Sequence, residues 1–400
     1  MRLLFHRLFQ AALIPSLLQV LYLDLLSVAA LIGARPPQPT ARGRRFCILI
    51  PAHNEFLLLP DLLKSLHAVD YPADQIDVHV VADNCTDATA DVAREMGATA
   101  HERHDRDATG KGHALRWLLG RLEMDRYDAF VFVDADSVVE PNLLDVLDRH
   151  LERGEDVLQC RYMVSNSADS RSAALRFLGF ALFNDLRPLG RERLGLSVGL
   201  RGNGMCFSRN VLARMGWTAF TLAEDAELHM QLVDTGHVVH YAPETSVTSR
   251  MPTTLAGAQT QNARWERGRL LLLRRYWRPF LAASLRRRDA RHLDAIAEQA
   301  IPPLSVLVGV SVLYWAVSLA IRSPGRVWAA SLLLLGEAFY VGCGLRISRA
   351  PSHVYAALLS APLYVLWKGH LYARALVARG AKTWIRTPRG DETISPDRSI

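Results

Sequence analysis

Two kinds of apolar stretch divide this chain, and they limit its architecture more than any other feature. Leu8–Ala34 is apolar for long enough to cross a bilayer, with Gln19 and Asp24 as interruptions. Three more long runs, Ala300–Ile321, Val327–Leu345 and Val354–Trp367, lie towards the other end. Between these two groups the apolar runs shrink to strand length and alternate with polar segments, which is the grain of an α/β domain.

The first stretch is too long for a signal-peptide core, and no small-residue cleavage site follows it, so it reads as an uncleaved anchor. Arg2 and Arg7 precede it, whereas Arg35, Arg42, Arg44 and Arg45 follow it, which predicts a cytoplasmic downstream side. Asp24 is expected to face a neighbouring helix rather than lipid. If all three later runs crossed, the segment with Lys368, Arg374, Arg379, Lys382, Arg386 and Arg389 would lie outside, against its cytoplasmic signature. Val354–Trp367 is the shortest run and contains Pro362, so it is expected to be interfacial or re-entrant. The predicted protein is therefore multi-pass in the cell's inner (cytoplasmic) membrane, with a cytoplasmic catalytic domain.

The net charge of +7 comes almost wholly from arginine, because the only lysines are Lys64, Lys111, Lys368 and Lys382. The charge clusters at Arg35–Arg45, Arg250–Arg291 and after Lys368, in each case beside an apolar run. That placement suits anionic lipid headgroups and argues against nucleic acid as a partner. The cysteines Cys47, Cys85, Cys160, Cys206 and Cys343 form no C-x-x-C pair, which predicts reduced thiols and no zinc site. The expected organisation is an anchor and basic segment over 1–44, a catalytic domain over 45–255 and interfacial amphipathic helices over 256–295. Membrane helices over 296–378 and a basic tail over 379–400 follow.

Within the domain, R-F-C-I-L-I-P at Arg45–Pro51 reads as a buried strand stopped by proline. A helical pattern covers Leu57–Val69, and D-V-H-V-V-A at Asp77–Ala82 is a second strand. Thr86 or Asp87 is expected to cap a helix that runs through Met96 to a stop at Gly97. A-F-V-F-V at Ala129–Val133 is a third strand. This alternation predicts a Rossmann-like, mostly parallel sheet covered on both faces, with ligands beyond the carboxyl ends of its strands.

Polar clusters stand at those ends. Asp134 and Asp136 follow an apolar strand two residues apart, so both carboxylates can face one hard cation, Mg2+ or Mn2+. A turn or cap is the structural alternative. At Asp83–Asp87, D-N-C-T-D offers a carboxylate for a nucleotide base N–H, with helix capping as the alternative. Gly110-Lys111-Gly112 opens an amphipathic run, where glycine permits close approach and a helix start favours anions. It is not a P-loop, because the required spacing is absent. Ala223-Glu224-Asp225 supplies acids from which a transfer reaction can draw a base. Gln261, Arg264 and Trp265 share a helix face, joining an amide, a phosphate-binding cation and a stacking ring. Composition alone makes that trio structural, within a run whose arginines and aromatics mark an interfacial helix.

Taken in order, these segments resemble the family 2 glycosyltransferases of GT-A fold, in the membrane branch of cellulose, hyaluronan and poly-N-acetylglucosamine synthases. The matching pieces are P-A-H-N-E at Pro51, D-N-C-T-D at Asp83, G-K-G-H-A-L at Gly110 and D-A-D-S at Asp134. R-G-N-G-M at Arg201, A-E-D at Ala223 and Q-N-A-R-W at Gln261 complete the series. The resemblance implies a nucleotide-sugar pocket formed by Pro51, His53, Glu55, Asp83, Lys111 and Asp134. It also implies metal contact through Asp134 and Asp136, and Asp225 as the catalytic base. Glu224, Gln261, Arg264 and Trp265 would meet the donor diphosphate or the acceptor. The family's T-E-D stands here as A-E-D, which leaves the base in place and removes a hydroxyl beside it. Lys382–Arg389 looks like the gating segment of the synthases, with a basic membrane-surface tail as the alternative.

The implied activity is inverting transfer of a hexose from a nucleotide-diphosphate donor, a UDP-sugar above all, to a saccharide or lipid-linked acceptor in cell-envelope polysaccharide synthesis. Polysaccharide-export or synthase subunits are the implied protein partners. Two other activities remain open: addition of one sugar to a membrane lipid, as in ceramide glucosyltransferases, and a non-catalytic subunit that binds a nucleotide sugar.

Overall fold

The computed structural model describes residues 2–32, 43–252, 255–367 and 369. The basic segment at Arg35–Arg42 and the segment at Lys382–Arg389 lie outside the described residues. Eight strands form one sheet: β1 Phe46–Ala52, β2 Ile76–Asp83, β3 Thr99–Arg103, β4 Ala129–Phe132, β5 Ser137–Val139, β6 Val157–Val164, β7 Met205–Ser208 and β8 His240–Ser249. Their order is β3-β2-β1-β4-β7-β6-β8-β5. β3, β2, β1 and β4 are parallel, as the alternation of strands and helices requires. Beyond β4 the sheet is mixed, since β7 runs antiparallel to both β4 and β6, β8 pairs parallel with β6, and β5 is antiparallel to β8.

The alternation of side chains along β1 builds two cores. Phe46, Ile48 and Ile50 point into one helix layer, Cys47 and Leu49 into the other, and all five are fully buried. On the first face lie the helices α2 Leu59–His67, α3 Thr89–Glu95 and, further along the chain, α5 Leu143–Glu152. On the second lie α4 Lys111–Leu119, α8 Arg209–Met215 and α9 Glu224–Asp234. α2 shows why these helices dock: Leu59, Leu62, Leu63 and Leu66 fall on one stripe and are all buried. Each contributes roughly 1.5–3 kcal/mol by leaving water. α3 starts later than its sequence suggests. Asp87, not Thr86, accepts the Thr89 amide at 3.0 Å, while the Thr86 amide is taken by Asn54 at 2.8 Å.

A third core joins the domain to the long apolar helices. α1 Arg2–Ala30 packs on α7 Arg187–Arg193 and α13 Pro324–Ile347, with α6 Arg171–Phe180 and the π-helical turn Ala181–Leu186 beside them. α10 Leu255–Arg287 turns back into α11 Ala290–Ala300, which meets α12 Leu304–Ala320 at a 73° bend. Within the described residues, Leu13–Ala30 and Pro324–Ile347 are long and apolar enough to cross a membrane, and α11 with α12 makes a third if that bent pair is one span. The last apolar run breaks into the short helix α14 Ser352–Ala357 and a single 3₁₀ turn, Leu358–Ser360. Asp24 faces α13, where a side chain at Gly336 would collide with its carboxylate.

At this junction sits a buried charge network. The Arg191 guanidinium donates to Asp294 at 2.9 Å and to the Tyr22 hydroxyl at 2.7 Å, and pairs with Glu298. The Tyr22 hydroxyl donates to Asp294, and Arg201 pairs with Glu298 at 3.2 Å. The network thus ties α1, α7 and α11 to the loop that begins at Arg201.

Candidate active site

The polar clusters converge at the carboxyl ends of β1, β2 and β4. Pro51 closes β1, and the His53 ring meets the Asp83 carbonyl through Nδ1 at 2.7 Å. The Glu55 amide donates to Thr89 Oγ1 at 2.9 Å, which pins this loop to the start of α3. Asp83 is buried, and its Oδ1 accepts from Arg103 at 2.5 Å and from Asn84 at 3.0 Å. Burial nonetheless holds the Asp83 carboxyl above its ordinary value, against the pull of Arg103 and the Gly110 amide. Arg103 is a site residue that sequence reasoning missed. It stands opposite Asp83 in the β2–β3 register and also donates to the Ala108 carbonyl at 2.7 Å, so it shapes the loop before Gly110.

Gly110, at φ 108°, caps α4 and presents Lys111 to the cleft. The Lys111 ammonium donates to Asp134 and to the Gly202 carbonyl. Burial disfavours its charge, but Asp134, Glu224 and Asp225 more than offset this and hold Lys111 above its ordinary value. Asp134 and Asp136, both half-buried, occupy the turn between β4 and β5. The turn is closed by the Ser137 amide on the Asp134 carbonyl at 3.1 Å, and the Asp134 amide donates to Asn203 Oδ1 at 3.1 Å.

The loop Arg201–Met205, quoted above as a motif without a role for each residue, forms the far wall. Gly202 has φ 76°, and a methyl built on it would fall 3.3 Å from Asp225 Oδ2 and 3.6 Å from Lys111 Nζ. Two glycines at positive φ flank Asn203, and that spacing was the available signal for a backbone wall. Asn203 is fully buried and donates to Ser137 Oγ at 2.8 Å, locking the loop to the Asp134 turn.

Glu224 and Asp225 open α9. Burial and then the neighbouring Asp225 push Glu224 up to about 7, against Lys111 and Arg264. Burial also raises Asp225, while the Ala226 amide (2.7 Å), Lys111 and Arg201 pull it down. A carboxyl raised above its ordinary value holds a proton more readily, the property a general base requires. A further acid in the first turn of α9, Glu227, is bonded elsewhere. It accepts the Phe220 and Thr221 amides at 3.2 Å and pairs with Arg275 of α10 at 2.9 Å.

α10 crosses directly over this segment, so close that a methyl at Gly268 would fall 2.6 Å from the Ala223 methyl. The small residue at the head of A-E-D is thus matched to the helix above it. α10 carries Gln261, Arg264 and Trp265 towards the site. Gln261 is buried with its Oε1 unbonded, and Arg264 Nε is enclosed without a partner. Trp265 is 38% exposed, with its ring 6.3 Å from Phe180.

Among the described residues, no three His, Cys, Asp or Glu side chains converge as a metal cage. A hard divalent cation needs no such cage, since one or two carboxylates with phosphate oxygens and water complete its shell. The all-oxygen donor set and the surplus of carboxylate over cation at Asp134, Asp136, Glu224 and Asp225 suit such an ion. All five cysteines are free thiols, and none joins this set.

Residues 43–268 match the family model described as glycosyltransferase like family 2. Over 253 residues the chain is 25% identical to the probable glycosyltransferase YdaM of Bacillus subtilis, covering 60% of this chain and 59% of that protein. It is 27% identical over 242 residues to the beta-monoglucosyldiacylglycerol synthase of Synechocystis, covering 58% of this chain and 49% of that one. The chain thus spans about half to three fifths of the length of these two relatives. Among solved structures, the mannosyltransferase PcManGT from Pyrobaculum calidifontis, in complex with GDP-Man and Mn2+, superposes with a TM-score of 0.57. The match covers 90% of this chain and 97% of that one at 21% identity, a likeness of fold.

Proposed function

On the premise that the chain belongs to the family 2 glycosyltransferases and has their GT-A fold, we propose that it transfers a hexose with inversion from a UDP-sugar. The acceptor in this reading is saccharide or lipid-linked, and the reaction takes place at the cytoplasmic face of the membrane that α1 and α13 cross. The observation that carries the proposal is the gathering of Lys111, Asp134, Gly202 and Asp225 at one place, with the first two acids of α9 raised above their ordinary values.

In this mechanism the nucleotide lies against Pro51, His53, Glu55 and Asp83, and Lys111 orients the diphosphate. Asp134 and Asp136 are the residues that would hold Mg2+ or Mn2+. When bound, that ion would neutralise charge developing on the leaving diphosphate. Arg264 adds a second positive group at the same end, and Glu224, Gln261 and Trp265 border the acceptor. Asp225 takes the proton of the acceptor hydroxyl as its oxygen attacks the anomeric carbon. The diphosphate departs from the opposite face, so one displacement inverts the centre without a covalent enzyme intermediate.

Addition of a single sugar to a membrane lipid has specific support as a second reading. The chain offers two or three membrane-length helices among the described residues, few for a polymer channel, and it is similar to a glucosyldiacylglycerol synthase. A panel of radiolabelled nucleotide sugars given to membranes containing the protein tests both readings. One donor should label a product, chelation should abolish labelling, and product length should separate polymer from single addition. No label from any donor would defeat the proposal, and labelling unchanged by chelation would defeat the metal assignment.

A further inference from the structure

Arg176 breaks the rule that a buried charge finds a partner. It lies on α6, is 5% exposed, and its Nε and Nη2 are enclosed without a hydrogen bond. Among the described residues no acid pairs with it. Its helix packs on α14, the apolar cluster there includes Leu175, Phe177 and Leu178 of α6 with Val354 and Ala357 of α14, and Tyr364 is its titratable neighbour. Burial disfavours the cation, and Tyr364 compensates only in part. Among the other deeply buried arginines, Arg103, Arg191 and Arg201 each meet at least one carboxylate, and Arg187 donates from Nε to the Tyr340 hydroxyl at 2.7 Å.

Which atoms lack partners is informative. Nε and Nη2 together form the side-on edge of the guanidinium, the edge that grips a carboxylate or phosphate through two parallel bonds. Location narrows the choice of anion. Arg176 shares a helix face with Phe180 one turn on, roughly 6 Å along the axis. Phe180 packs on Tyr162 at 5.2 Å and reaches Trp265 at 6.3 Å, so this face leads towards the acceptor side of the site. On its other side, the segment containing Tyr364 displays Leu359, Leu363 and Leu366, which are 88%, 74% and 72% exposed. The unpaired fork therefore sits between a surface that suits lipid chains and the mouth of the catalytic cleft.

We propose that Arg176 binds the phosphate group of a lipid, either a membrane phospholipid or a polyprenyl phosphate, and so seats a lipid head at the acceptor entrance. The inference rests on the membrane-acceptor reading above and names the chemistry that the acceptor side recognises. Arg176 is a binding residue in this account and takes no part in bond making.

The test is lipid binding to the full chain in neutral detergent without any nucleotide sugar, followed by native mass spectrometry. The probes are phosphatidylglycerol, farnesyl phosphate and uncharged diacylglycerol. The wild type should bind at least one phosphate-bearing probe tenfold or more tightly than diacylglycerol, and the tighter of the two identifies the source. Arg176→Met should lose that preference yet melt at a higher temperature when lipid-free, because a buried unpaired charge has gone. Arg176→Lys keeps the charge but not the fork and should weaken phosphate binding at least fivefold, which preserves the test should the methionine variant fail to fold. Arg214→Gln, at an exposed position on α8 of the sheet domain, should bind as the wild type does. Equal affinity for diacylglycerol and both phosphate probes, or wild-type binding by either folded Arg176 variant, overturns the proposal. No donor is present, so that failure leaves sugar transfer standing; absence of transfer with lipid binding intact counts against the transferase reading alone.

Discussion

Two charge clusters, one buried and one half-buried, lie on either side of a single peptide bond, and they differ in charge balance. On the Arg201 side, Arg191 and Arg201 face Asp294 and Glu298, all with side chains at most 7% exposed, and the Tyr22 hydroxyl completes the set. On the Gly202 side, Asp134, Glu224 and Asp225 act on Lys111, with Asp136 two residues along the chain from Asp134. The first cluster is matched cation for anion, and all its groups but Arg201 come from helices at the membrane junction. The second carries a surplus of acid, and its groups come from strand ends and a helix start. A matched buried network fixes geometry, whereas a surplus of like charge raises proton affinity and leaves capacity for a cation or a substrate proton. The contrast separates architecture from chemistry more clearly than burial does.

The comparison can be broken at either cluster. Glu298→Ala leaves two buried guanidiniums without that carboxylate and should destabilise the protein by about 3–5 kcal/mol, read as denaturant or thermal unfolding in detergent. Little change would mean that the junction does not depend on the matched set. In the surplus cluster the charge change has the opposite sign for stability. Glu224 is raised to about 7, so its proton-bound form favours the fold. That contribution is complete below the ordinary glutamate value near 4.3 and is lost as pH rises through about 7. Glu224→Gln should flatten the fall in stability over this interval, by on the order of 3–4 kcal/mol. Melting curves at several pH values check this, and an unaltered slope would remove Glu224 from the account. The smallest effect should appear in transfer activity: the acid limb of its pH profile, set by the base, should lie above the usual aspartate range, raised by burial and by Asp134.

Much of this arrangement was legible in the sequence for a simple reason. Where a short apolar run ends in acids, as at Val133–Asp134 and Ala82–Asp83, the end of a strand is marked, and the structure ends β2 at Asp83 and β4 at Phe132. The parallel half of the sheet followed from alternating elements. The direction of β7 did not, because Met205–Ser208 is too short to signal direction. Contacts made by distant registers were also out of reach. Arg103 reaches Asp83 only because β2 and β3 align them, and Tyr22, Arg191, Arg201, Asp294 and Glu298 meet only in the fold. Arg176 gave no sign at all, since an arginine within R-S-A-A-L-R-F-L reads as one more basic helix position.

The central claim, that the acid surplus beside Gly202 is a catalytic centre with Asp225 as its base, meets its most direct test in Asp225→Asn. Initial rates of sugar transfer should be measured on the purified chain with its preferred donor, beside nucleotide affinity and the melting temperature. The account predicts a fall in turnover of roughly 10²–10⁴-fold, with nucleotide affinity within twofold of wild type and a melting temperature no lower. Turnover within threefold of the wild type would contradict it, and so would a loss of activity explained by unfolding.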